Sequence, residues 1–80
     1  MARQKNLFER VVEISNDYLG PAAERFIARQ IETHLKKSPA KLNKSDLKPL
    51  AEWLKLSFAV LTNDKKLIDE YIGKISRLSK

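Results

Sequence analysis

Leu47-Lys48-Pro49-Leu50-Ala51-Glu52-Trp53-Leu54-Lys55-Leu56-Ser57-Phe58-Ala59-Val60-Leu61-Thr62 is the stretch that decides the fold. Leu47, Leu50, Leu54, Phe58 and Leu61 recur at three- and four-residue steps, which is one stripe of a helix. Trp53, Leu56 and Val60 form a second stripe, and the charged residues Lys48, Glu52 and Lys55 fall with Thr62 in a narrow strip that also holds Ala59. A helix that is apolar around most of its circumference has to be covered around most of it. The pattern predicts a third helix over residues 46–62 that is either the centre of the fold or half of a dimer interface. Pro49 falls in its first turn, where a missing N–H costs least, and Ser45 or Asp46 is the expected N-cap.

Working outward, residues 64–78 carry Leu67, Ile68, Tyr71, Ile72, Ile75 and Leu78 on one face, after a turn and capping residue in Thr62-Asn63-Asp64. Gly73 lies inside this fourth helix and is expected to mark a close contact between helices. Upstream, Leu7, Val11, Ile14 and Tyr18 follow the helical period over residues 5–18, with Phe8 and Val12 widening the stripe. Leu19-Gly20-Pro21 stops that helix and starts the next, over residues 21–37, whose buried stripe is Ala23, Phe26, Ile27, Ile31 and Leu35. Ser38-Pro39 ends it, because a residue before proline is pushed out of the helical region. The expectation is one all-α domain over residues 1–80, a compact bundle of about four helices with a central apolar third helix.

Composition agrees. Eighty residues make a small domain that buries only about 60–65% of its unfolded surface, so every apolar side chain counts. Two glycines and three prolines leave few breakpoints for a many-stranded sheet. The absence of cysteine points to a reducing compartment. No uncharged stretch approaches the ~20 apolar residues that span a bilayer, and the polar helix faces are too close to neutral for a membrane surface. The chain reads as cytoplasmic, with no membrane partner.

The net charge of +6 raises the question of nucleic acid. Its excess lies in the connector, in Lys36, Lys37, Lys41, Lys44 and Lys48, opposed only by Asp46. Such a cluster is a candidate phosphate-contacting loop, yet no aromatic or arginine is interleaved there to stack bases or read guanine. The junction of the third and fourth helices does not fit a helix-turn-helix, since its turn lacks glycine and the outer face of the fourth helix mixes both signs.

Catalytic parts are missing. With one histidine and no cysteine the usual metal and haem ligand sets cannot be built, and two isolated glycines make no phosphate-cradling loop. The chain reads as non-catalytic, without cofactor. His34 is read as a residue at a helix C-terminus that covers the edge of the core, and Trp53 as a core filler whose N–H reaches the surface.

Leu19-Gly20-Pro21-Ala22-Ala23, followed by Phe26 and Arg29, resembles the opening of small helical modules appended to bacterial signalling proteins such as kinases. The resemblance implies a non-catalytic regulatory or interaction module. The leading reading, carried by the apolar circumference of the third helix, is a helical protein–protein interaction or regulatory module that binds an unidentified protein or a second copy of itself, with Trp53, Leu56 and Val60 as the candidate partner-binding residues. The alternative is sequence-nonspecific nucleic-acid binding through Lys36, Lys37, Lys41, Lys44 and Lys48.

Overall fold

Asn6 opens the first helix with both halves of a capping box. Its side chain accepts a hydrogen bond from the Glu9 backbone N–H at 2.8 Å, and its own N–H donates to the Glu9 carboxylate at 3.1 Å. The computed structural model describes residues 6–79, so the expected helix start at residue 5 lies outside the described residues. Helix α1 spans Leu7–Leu19 and ends at Gly20, whose N–H bonds to the Asn16 carbonyl at φ 70° and ψ −152°. A 3₁₀ turn, Gly20–Ala22, holds Pro21 in its opening positions and leads into α2, Ala23–Gln30.

The second helix departs from the regular run expected over residues 21–37. It opens on the 3₁₀ turn and closes on a π-helical turn, Ile31–Leu35, after which Lys36 takes the left-handed conformation at φ 58° and ψ 38°. The wider turn rotates the residues that follow it relative to a regular helix. Ile31 stays fully buried while His34 comes to lie against Trp53.

The connector is more structured than its lysines suggest. Pro39–Lys41 forms one 3₁₀ turn and Lys44–Asp46 another. Between them Leu42 is only 8% exposed and belongs to the core. Asp46 stands at the N-cap of the third helix, one of the two positions expected, but its side chain makes no capping bond there. The capping box lies one turn earlier, at the start of the second 3₁₀ turn: Asn43 accepts from the Asp46 N–H at 3.2 Å, while the Asp46 carboxylate accepts from the Asn43 N–H at 3.0 Å.

Helix α3 follows over Leu47–Leu61, and α4 over Lys65–Arg77, capped by Asp64, whose carboxylate accepts from the Leu67 N–H at 3.2 Å. The described residues are all-α, with no strand among them. Against the expected bundle of about four helices, there are three of 13, 15 and 13 residues and a shorter α2 of eight with its π turn.

The core gathers Val11 of α1, Ile27 and Ile31 of the second helix, Leu50, Leu54 and Phe58 of α3, and Tyr71 and Ile75 of α4. An aromatic group ties three helices together: the Tyr71 ring lies 4.8 Å from that of Tyr18 and 5.2 Å from that of Phe58. Beside it is a buried polar link that the sequence reading did not foresee. Ser15 Oγ donates to the Val11 carbonyl at 2.7 Å, which leaves the Tyr71 hydroxyl, 2.5 Å away, to donate to Ser15.

Gly73 does not mark a close helix–helix contact. A Cβ built there would meet nothing within 4 Å, so the glycine leaves room that no neighbour uses.

Candidate protein-interaction surface

Around α3 successive residues turn by about 100°. Leu47, Leu50, Ala51, Leu54 and Phe58 consequently share one arc, and all five are buried. Leu56 points the opposite way, with Val60 and Trp53 beside it. These three candidate partner-binding residues are 61%, 84% and 40% exposed, respectively. The helix is thus covered on one side only, which corrects the expectation of a central helix wrapped by the others. The π turn and α4 pack against its inner arc, and too few helices remain to reach the outer one. Leu61, read as part of the buried stripe, is 62% exposed at the last position of the helix.

Trp53 is accordingly not a core filler. Its indole stacks on the His34 imidazole with ring centroids 3.8 Å apart and planes 10° from parallel. Stacking restrains the indole plane while the residue stays 40% exposed. His34 reaches it from the last turn of the second helix, half-buried at the rim of the core. The outer face of α3 therefore presents Trp53, Leu56 and Val60 at i, i+3 and i+7, the spacing of a helix–helix seam.

The five lysines read as a connector cluster are put to different uses, and Lys48 lies in the first turn of α3. Lys37 Nζ donates to the Asp46 carboxylate at 2.7 Å, with side chains 29% and 16% exposed. That hydrogen bond holds the Asp46 carboxyl below its ordinary value. Lys37 is thereby neutralised within the fold, and the turn it braces is the one Asn43 caps. Lys36 is exposed at the left-handed stop of the second helix, and Lys41 is exposed at the end of the first connector turn. Lys44 and Lys48 border a groove of about 570 Å³ between α3 and α4.

Among the described residues no three of His, Cys, Asp and Glu come together in a way that could hold a metal ion. Nor is any helix there long and apolar enough to cross a membrane.

No protein-family model, curated protein or solved structure matches this chain. The functional reading therefore rests on the chemistry of its surface. Two features stand out: the uncovered apolar stripe of α3, and the lysine-bordered groove on its flank.

Proposed function

We propose that this chain is a non-catalytic helical interaction module, and that it pairs with a second copy of itself through the outer face of α3. The observation that carries this is the exposure of Trp53, Leu56 and Val60 in one contiguous apolar stripe. A domain this small gains little by leaving such a stripe in water, and contiguous exposed apolar patches mark places where proteins meet. A second copy suits the pattern because a two-fold axis beside Leu56 sets Trp53 of each copy against Val60 of the other. Large then meets small twice, as an isologous interface requires. The cysteine-free composition suits a reducing compartment, and we take the module to act in the cytoplasm. The helix start Leu19-Gly20-Pro21-Ala22-Ala23, with its resemblance to modules of bacterial signalling proteins, is in keeping with a regulatory role.

The alternative of nucleic-acid binding through the connector is supported less well. Lys37, one of its five lysines, is already paired with Asp46.

Light scattering tests the pairing. The expected result is a mass near twice the 9.2 kDa of the chain as concentration rises, with a blue shift in the emission of Trp53, the single tryptophan. Leu56→Glu with Val60→Glu is expected to return the monomer with an unchanged circular dichroism spectrum, since both side chains are exposed. A wild-type chain still monomeric at about 1 mM, where association would be weaker than roughly 4 kcal/mol, overturns the reading.

A further inference from the structure

We infer that the groove between α3 and α4 is a docking site for an acidic amphipathic helix of a partner protein. It lies on a different face from the self-pairing stripe. Lys48 and Lys55 stand about a quarter turn around α3 from Leu56, on the side of α4.

The floor of the groove is apolar, formed by Leu47 and Ala51 of α3 and by Ile72 of α4. Lys44, Lys48 and Lys55 border it, against the single carboxylate of Glu52, and Ser76 and Ser79 add hydroxyls near the end of α4. Lys55 also borders a second depression of about 330 Å³, with Ala59 and Ile68 as apolar lining and Lys65 and Asp69 beside them. Four lysines against two carboxylates leave the combined groove cationic. From Lys44, in the 3₁₀ turn ahead of α3, to Ala59 of α3 the two depressions span ~22 Å, the length of a helix of about fifteen residues.

Each feature selects the occupant. An apolar floor is filled by aliphatic side chains at helical spacing, and the lysine border then pairs with carboxylates along the edge of the incoming helix. The chain's net charge of +6 steers an acidic partner toward it. A nucleic acid would leave Leu47, Ala51 and Ile72 facing phosphates. The residues lining the groove include no arginine and no aromatic to read or stack a base.

The test uses the intact chain and a fluorescent synthetic helix of about fifteen residues, with leucines on one face and glutamates along its edges. Its controls are a scrambled peptide of the same composition, a peptide with lysine replacing glutamate, and oligothymidylate. The patterned acidic peptide is expected to bind and to shift the amide resonances of Ala51, Ile72 and Ser76. Its affinity is expected to fall about tenfold in the Lys48→Glu, Lys55→Glu variant, as loss of two surface charge pairs and their replacement by repulsion implies. Both lysines are exposed, and Lys48→Gln with Lys55→Gln provides a second variant should charge reversal disturb the fold. Light scattering is expected to find these variants pairing no more weakly than wild type, which separates this site from the self-pairing stripe. Equal binding of the scrambled peptide, absence of binding, or binding of oligothymidylate in preference to the peptide would each overturn the inference.

Discussion

Gly20 and Gly73 look alike in the sequence and have opposite roles in the fold. Gly20 sits at φ 70° and ψ −152°, a region closed to residues with a Cβ. Nothing lies within 4 Å of a Cβ built there, so the barrier to substitution is backbone strain, with no clash. Gly20→Ala is expected to destabilise by about 1–3 kcal/mol. Gly73 has ordinary helical geometry and open space, so Gly73→Ala is expected to stabilise by roughly 0.5–1 kcal/mol. Urea unfolding of the two variants checks both signs. Tyr71 and Tyr18 offer a second contrast. Burial pushes the Tyr71 phenol up from 10.0 to about 12, so the folded state favours its neutral form. The stability this lends is complete below pH 10.0, falls as the unfolded chain ionises above it, and is lost by about pH 12. Tyr71→Phe is expected to cost about 1 kcal/mol at neutral pH by leaving Ser15 Oγ without its donor. In unfolding measurements across that alkaline interval, its deficit against wild type is expected to shrink. The buried Tyr18 hydroxyl makes no well-formed hydrogen bond, and the Lys74 ammonium lies over its ring 5.2 Å from the centre, a contact that phenylalanine keeps, so Tyr18→Phe is expected to change stability by less than about 1 kcal/mol.

The ends of the elements show how local chemistry and tertiary demand divide the work. Asn6, Asn43 and Asp64 each satisfy free amides at a helical start, and each does so with residues three positions away. The second helix has no comparable stop. Its π turn is closed by Lys36 at φ 58°, a conformation that glycine and asparagine take far more readily than lysine. Lys36→Gly is expected to raise the midpoint of thermal unfolding, through a gain of about 1 kcal/mol. A lower midpoint would mean that the lysine side chain contributes something its exposed position does not show. The site was partly legible at this scale. Spacing alone set Trp53, Leu56 and Val60 on one stripe of α3, but both stripes are equally apolar, and only the packing of the neighbours shows which is covered.

Self-pairing of the whole molecule would tie its stability to concentration. If the stripe of α3 is covered by a second copy, the melting temperature of wild type is expected to rise with protein concentration, by mass action. The Leu56→Glu, Val60→Glu variant is expected to melt at one temperature throughout. Added salt is expected to help the pairing, because it screens repulsion between two chains of net charge +6, and to weaken an acidic helix in the groove. Opposite salt responses from two surfaces of one domain would show that they act separately.

The sequence by itself determined that the chain is helical and which side chains supply most of its core. Apolar spacing is a local property, so Leu47, Leu50, Leu54 and Phe58, or Ile68, Tyr71 and Ile75, announce a buried face wherever that face ends up. Tertiary structure alone decided the rest. Leu42 enters the core from a lysine-rich connector because the turns on either side aim it inward, and a lone leucine has no period to reveal that. Ser15 acquires its role from Tyr71, 56 residues away, a distance no local pattern encodes. The exposure of Trp53, Leu56 and Val60 is a shortage of neighbours, and coverage is a property of how many helices surround a face.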